Sequence, residues 1–282
     1  MSDGFSRLRG CLALAILLCG AVNGRADGGT MEATLPEASQ VIRRMIERSK
    51  AVSANTNAPV CLFDKLAVYE TLDSGGMVKR AKEKLYEVTI RAGMTSNHLV
   101  AVEGRRLSTE ESVILSEKER RWRDSYAGGR GGGTTERMDD IVNEQLFSRF
   151  EIRCVGRERV RDRRCLVLDL KPKAGELPSD RLMDRVINLL NGQLWVDESE
   201  FEIVRAEVRT VGTLRLWGGV LGSLEFLQLH VDRERSVFGV WYNRHFEVNL
   251  RGRKLFSPML IRAREIGSRI RLAGQSVSPM DR

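Results

Sequence analysis

The stretch "GQLWVDESEFEIVRAEV" (residues 192–208) decides the fold. It reads as two strands joined by a tight acidic turn around Asp197, Glu198 and Glu200, residue types that turns take readily. Phe201 and Ile203 share one parity, whereas Val204, Ala206 and Val208 share the other. A strand alternates faces with a period of two, so a change of parity within one strand predicts a β-bulge near Ile203. The segment is apolar enough to be half buried and holds no His or Cys.

The flanks extend the same pattern. Upstream, "RFEIRCVGRERVRDRRCLVLDLKPK" (149–173) reads as a hairpin, with Leu166, Leu168 and Leu170 facing one way and Val167, Asp169 and Lys171 the other. Centring the turn at Arg161–Asp162 sets Val160 against Arg163 and Glu158 against Cys165. Residues 178–191 carry an apolar side of Leu182, Met183, Val186, Leu189 and Leu190 at helical spacing, and Gly192 follows as a stop. Downstream, 223–272 reads as three long antiparallel strands with turns near 232–236 and 251–254. In the N-terminal half, 34–54 predicts an amphipathic helix with a Thr34/Glu37 capping box and a Val41, Ile42, Met45, Ile46 stripe. Strands follow from Pro59 to Asp73 and from Met77, where Tyr86, Val88 and Ile90 alternate with polar residues, and a short one lies at 98–107. "SGG" (74–76) marks a turn. Ser108 with Glu111 predicts a second capped, charged helix, the Gly-rich run 128–133 a flexible break, and 136–150 a short helix.

The expected fold class is mainly β with α (α+β). A large curved antiparallel sheet forms an incomplete half-barrel, with helices covering its concave apolar face because an apolar face must be covered. Residues 27–282 form a single domain with a charged helical insertion at about 108–147.

The N-terminus reads differently. Arg7 and Arg9 precede "CLALAILLCGAV", and small residues Gly24 and Ala26 follow. Basic, apolar, small is the order of a secretory signal, which predicts cleavage after Ala26 and a periplasmic chain. Cleavage removes three Arg and one Asp and lowers the net charge from +8 to +6. An exported basic chain rarely meets nucleic acid; the charge reads as simple solubility, with anionic membrane surfaces or cell-wall polymers as the alternative. Cys61, Cys154 and Cys165 remain. With the turn at Arg161–Asp162, Cys154 and Cys165 are offset by four residues, roughly 13 Å along the strand at 3.3 Å per residue. That exceeds disulfide reach and predicts free thiols.

The chemistry-bearing motifs are absent. The sequence holds no H-E-x-x-H, G-x-S-x-G, S-x-x-K or C-x-x-C, and the Gly run lacks the Lys-Ser/Thr of a phosphate loop. His98, His230 and His245 fall on separate predicted strands with no metal-ligand spacing, so no metal, cofactor or catalytic residue is expected. The six Arg within 153–164 read as a solvated hairpin tip, with docking of anionic headgroups as the alternative.

"GRERVRDRRCLVLDLKPK", then a helix, then "GQLWVDESEFEIVRAEV", resembles the C-terminal half of exported outer-membrane lipoprotein-sorting proteins, in the LolA/LolB-like lipoprotein-carrier superfamily. "YEVTIRAGMTSNHLVAVEGRRLSTEE" (86–111) resembles the matching upstream part. The resemblance covers roughly 60–272, and "LWVDESEFEIVRAEV" is its most specific block. It implies a half-barrel whose helices close an apolar concave side, and carriage of acylated lipoproteins. The chain departs from the classical carriers in its length, in the charged segment 108–147 and in lacking their Arg-Pro-Gly strand motif, which leaves the cargo open.

The physical reading agrees with that fold. Exposed methylenes cost about 0.8 kcal/mol each, so two sixteen-carbon chains cost on the order of 20 kcal/mol in water. An apolar container removes that cost without catalysis. Few aromatics and a short covering helix predict a partly open cavity lined by Leu168, Leu182, Val186, Leu190, Val196, Ile203, Phe226, Val240 and Leu250. The leading expectation is a non-catalytic carrier for acyl chains or a lipoprotein, with a possible membrane delivery partner. The alternative is a periplasmic sensor or scaffold of the same fold that binds a peptide or partner protein. A hydrolase using His245 or the 197–200 carboxylates lacks the motifs.

Overall fold

The computed structural model describes residues 34–126, 135–137, 142–175, 177, 179, 182–216, 222–255 and 257–274. The expected signal segment 1–26 and the Gly run 128–133 lie outside the described residues.

One antiparallel sheet of thirteen strands dominates. Its long strands are β1 (Cys61–Leu72), β2 (Val78–Arg91), β3 (Met94–Val102), β6 (Phe150–Val160), β7 (Arg163–Pro172), β8 (Leu190–Asp197), β9 (Ile203–Thr210), β11 (Gly222–Arg235), β12 (Trp241–Lys254) and β13 (Ser257–Leu272). Short strands β4 (Arg105–Arg106), β5 (Thr135–Arg137) and β10 (Leu214–Leu216) complete it. The order β4-β3-β2-β1-β13-β12-β11-β9-β8-β7-β6 is a meander with one long-range join, between β1 and β13. The edges β4 and β6 do not pair, so the sheet stays an open half-barrel. Among the described residues four helices accompany it: α1 (Ala38–Ala54), α2 (Thr109–Tyr126), α3 (Glu144–Phe147) and α4 (Leu182–Ile187).

Sequence chemistry explains the turns. Asp73 Oδ1 accepts the amides of Gly75 and Met77, which closes the β1–β2 turn. Ala92 and Gly93, both at positive φ, make the two-residue β2–β3 turn, the backbone that suits strand twist. The 149–173 hairpin has the expected register, Val160 opposite Arg163 and Glu158 opposite Cys165. The bulge expected near Ile203 leaves Val204 unpaired between Val196↔Ile203 and Trp195↔Arg205.

The core fills the concave face. Phe63, Tyr86, Val88, Leu166, Leu168, Leu170, Leu194, Val196, Ala206, Val208, Leu229, Phe246 and Val248 are all buried there, with Val41, Met45 and Ile46 of α1 laid across them. A second small cluster, including Val167, Trp195, Val204 and Trp241, is separate from this core.

Four expectations change. The helix expected at 178–191 is only Leu182–Ile187, and Leu190 already belongs to β8. Gly192 does not stop a helix. It lies where β9 passes closely, and a Cβ there would sit 2.2 Å from the Glu207 carbonyl oxygen. The turns expected at 232–236 and 251–254 fall later, since β11 runs to Arg235 and β12 to Lys254. The charged residues read as turn formers pair across strands instead. The Thr34/Glu37 box does not form, because Glu37 is itself the N-cap of α1 and makes no side-chain cap bond. The Ser108/Glu111 box does form, with both reciprocal hydrogen bonds.

The charged segment after β4 leads from one sheet edge to the other. Ser112 of α2 donates to the Leu99 carbonyl on β3, β5 pairs with β3, and Phe147 of α3 enters the core. Of the helix expected at 136–150, the described residues give the end of β5 at Arg137 and one helical turn, Glu144–Phe147; 138–141 lie outside them.

Candidate functional site

A partly open cavity of about 620 Å³ lies between the C-terminal half of α1 and the concave face. α1 contributes Arg48, Ala51, Val52 and Asn55; β1–β3 contribute Phe63, Lys65, Val88, Ile90, Thr95 and Asn97. β9, β11, β12 and the 236–240 turn supply the far wall, from Ile203, Ala206, Val231, Arg233, Phe238, Val240, Trp241, Tyr242 and Asn243. Strand alternation builds the apolar part. Phe63 follows the inward parity of β1, Val88 and Ile90 that of β2, and Val231 that of β11.

The polar part sits on the same parity. Arg233 continues the inward set Leu227, Leu229, Val231, and Lys65 stands between inward Phe63 and Ala67. A buried charge needs a partner. Glu202 accepts from Arg233 at 2.9 Å and from Arg48 at 3.3 Å. Lys65 pairs with Glu265 at 3.2 Å, and its ammonium lies 5.0 Å from the Tyr86 ring centre. Two buried atoms of the wall, Arg233 Nε and Asn97 Oδ1, have no hydrogen-bond partner among the described residues.

The acidic turn of 192–208 buttresses this end. Asp197 Oδ1 accepts from Ser199 N, Ser199 Oγ and Glu200 N. Burial disfavours the Asp197 charge, but these bonds and Arg163 outweigh it and hold its carboxyl below the usual range. Glu200 binds Arg48, Arg163 and Arg235 and accepts from Trp241 Nε1 at 3.1 Å. Arg157 and Arg164 reach Glu198, and Arg161 reaches Asp232 and Glu234. The arginines read as a solvated tip are largely engaged in ion pairs that tie the β6–β7, β8–β9 and β11–β12 ends together.

The residues expected to line a cavity divide into four groups. Ile203 and Val240 line the observed one. Leu168, Val186, Leu190, Val196 and Leu250 are buried in the close-packed part of the core, away from it. Phe226 is stacked under the Arg251 guanidinium and is no part of that core: it adjoins inward Leu227, so alternation turns it to the other face, while a bulge at Glu225 returns Leu224 to the inner side. Leu182 opens α4, and its side chain lies outside the described residues. The sequence reading missed Arg48, Lys65, Glu202, Arg233 and Glu265. The available signal was a charge on the apolar parity of β1 and β11, hidden in β11 by reading 232–236 as a turn.

The histidines do not all stay apart as expected. His230 and His245 come together on β11 and β12, with ring centres 5.5 Å apart. Hydrogen bonds to Asp232 and Glu207 push His230 up to about 9. Burial, then the His230 charge, lowers His245. His98 stands apart from them, with its Nε2 3.3 Å from Ser112 Oγ. The three thiols are free, and burial pushes Cys165 up to about 12. Among the described residues, no helix is long and apolar enough to cross a membrane.

No known family profile and no curated protein matches this chain. Solved structures do show a similar course of chain. An outer membrane lipoprotein-sorting protein domain from Vibrio parahaemolyticus is 10% identical, over 86% of this chain and 96% of that one, with a TM-score of 0.38. A LolA superfamily protein from Nitrosomonas europaea is 10% identical, over 87% and 97%, with a TM-score of 0.30. The MucA/MucB complex of Pseudomonas aeruginosa gives 13% identity, over 84% and 99%, at 0.25. At these values none of the three bears on what this chain binds.

Proposed function

We propose that this chain is a non-catalytic binding protein that shelters an acyl chain of an amphipathic ligand, a lipid or an acylated lipoprotein. The cavity beneath α1 is the container, and the signal-like residues 1–26 place the protein in the periplasm. The observation that carries the reading is the cavity itself: an apolar wall, open to solvent, ending in paired charges. Its 620 Å³ amounts to roughly twenty groups of about 30 Å³, the share of one water in the liquid. That suits one sixteen-carbon chain with its head, and not two. Sheltering one such chain is worth about 12 kcal/mol at 0.8 kcal/mol per methylene. The paired charges Arg48, Arg233 and Glu202 at one end of the cavity suit the polar end of such a ligand. The reading is non-catalytic because the carboxylates on the wall, Glu202 and Glu265, are each engaged by Arg or Lys.

The test combines extraction and competition. Mass spectrometry of small molecules extracted from protein purified from periplasm should find a single-chain or acylated species. A hydrophobic dye should bind and be displaced by a long-chain fatty acid. Val240→Glu, at the half-buried mouth, should abolish dye binding while circular dichroism is unchanged, and Phe226→Glu should leave binding intact. Equal binding by wild type and Val240→Glu would defeat the reading. A stable protein complex with no extractable lipid would favour the scaffold alternative instead.

A further inference from the structure

The face of the sheet opposite the cavity carries a cluster that acyl binding does not use. His230 and Asp232 are two residues apart on β11, so they share a face. Asp232 pairs directly with His245 on β12, and His230 pairs with Glu207 on β9. His230 Nε2 lies 3.0 Å from Asp232 Oδ2. One donor atom from each of His230, Asp232 and His245 lies within 4.8 Å of the other two.

We propose that His230, Asp232 and His245 form a binding site for a divalent transition cation, zinc being the type. The chemistry of the set selects the ion. Imidazole nitrogens suit zinc, copper and nickel, whereas magnesium and calcium take oxygen ligands. Coordination replaces the proton between His230 Nε2 and Asp232 Oδ2 with the ion. Two ligands at about 2.1 Å from a tetrahedral zinc stand roughly 3.4 Å apart, so the His230–Asp232 pair, at 3.0 Å, opens slightly and the others, within 4.8 Å, close by about 1.4 Å at most. The half-buried side chain of His245 makes that adjustment.

The surroundings are arranged for it. Glu207 Oε1 lies 3.4 Å from His230 Nδ1. A carboxylate on the far nitrogen fixes the tautomer that turns Nε2 towards a metal. Asp232 Oδ1 is already held by Arg205 at 2.9 Å and by Arg161 at 3.4 Å, which leaves Oδ2 for the ion. Glu247, opposite His230 on β12, adds negative charge, and Arg264 opposite it on β13 offsets part of that. The three ligands stand on paired central strands, and sites on such elements hold their geometry better than loops do. The bound ion would tie β11 to β12 on the opposite face from the acyl cavity, leaving a fourth position for water.

Calorimetric titration of the mature chain, free of any His tag and stripped with chelator, tests this with Zn²⁺ and Mg²⁺ as probes. Zn²⁺ should bind one per chain and raise the unfolding midpoint, and Mg²⁺ should give no heat. His230→Gln and His245→Gln should each weaken Zn²⁺ at least ten-fold. Glu207→Gln should weaken it by roughly 10–100-fold, as loss of an orienting carboxylate does. Co²⁺ should give the visible absorption of a tetrahedral site, lost in His245→Gln. His245 makes fewer ion pairs than His230, so His245→Gln carries the test if His230→Gln fails to fold. No Zn²⁺ binding, or binding unchanged in His245→Gln, would overturn the proposal and leave the cluster an ion-pair network alone.

Discussion

Removing Glu202 should cost more stability than any other single charge in the cavity wall. Its side chain and that of Arg233 are each only 9% exposed, 2.9 Å apart. At that distance an effective dielectric constant near 20 gives an attraction of about 6 kcal/mol. Most of it offsets the desolvation of both groups, so the pair itself contributes little net stability. Glu202→Ala breaks this balance. Arg233 stays buried beside Trp241 with its carboxylate gone, keeping only the Ile203 carbonyl as acceptor. Loss of one partner of a buried pair costs about 3–5 kcal/mol. For a domain of this size that is a fall of roughly 6–20 °C in midpoint, at 2–4 °C per kcal/mol. Arg48 keeps Glu200 at 3.2 Å and stays near the surface, so it adds little. The double variant Glu202→Leu/Arg233→Met should recover most of the loss, because an apolar pair of similar volume needs no partner. Urea unfolding of wild type, both single variants and the double variant closes the cycle. A Glu202→Ala cost below about 1 kcal/mol would refute the buried-pair reasoning, since that is the range of surface pairs. A double variant as unstable as the sum of the singles would refute it too.

Gly192→Ala should destabilise by at least about 1–3 kcal/mol, the usual cost of overpacking, because the new Cβ would meet the Glu207 carbonyl oxygen at 2.2 Å; urea midpoints check it. Gly267→Ala should behave alike, with its Cβ 2.3 Å from the Asn243 oxygen and against the Phe63 ring. The chain processed after Ala26 should titrate three thiols in denaturant, with Cys165 unreactive at pH 8 in the native protein, since burial pushes it up to about 12. Glu70 is buried on β1, and its bonds from Arg262, then the charges of Arg262 and Arg264, outweigh burial and hold its carboxyl below the usual range. A depressed carboxyl gives stability that is full above its unfolded value, about 4.3, and is lost as pH falls through the lower folded value. Glu70→Gln should therefore flatten the acid limb of the stability–pH curve below about pH 4.3 and leave its shape at pH 6–8 unchanged.

Local rules made much of the sheet legible. The β6–β7 register followed from one turn, and the parity change at Val204 announced its bulge. The expected half-barrel is the observed architecture, open between β4 and β6. The Ser108/Glu111 box was readable because both of its bonds span only three residues. The errors came where two periods fit the same residues. Leu182, Val186, Leu189 and Leu190 satisfy a helical stripe, yet Leu190 begins a strand and alternates with Leu194 and Val196 only after the close pass at Gly192. Phe226 fell on the wrong face because it adjoins inward Leu227, and a bulge at Glu225, invisible in the sequence, shifts Leu224 relative to it. One extra residue moves a whole side-chain set across the sheet.

Charge patterning explains why the candidate site was the least legible part. Segment 232–235, "DRER", looks like a turn because four charged residues adjoin. In the sheet those residues divide by parity, and each side finds partners on other strands. Asp232 meets His230, Arg205 and Arg161. Arg233, on the cavity side, meets Glu202. A bulge at Arg244 on β12 lets both hold, since Asp232 pairs with His245 and Arg233 with Asn243. Apart from His230, none of these partners is near in sequence. Charge alternation along a strand therefore says only that both faces are polar there. Which charge faces a cavity and which joins a possible ion site depends on cross-strand register, and that is fixed by the apolar residues further along, Leu227, Leu229 and Val231. A slip of β11 by one residue would turn His230 and Asp232 into the cavity and Arg233 out beside His245, so the same apolar triplet that seals the core also keeps the two sites chemically distinct.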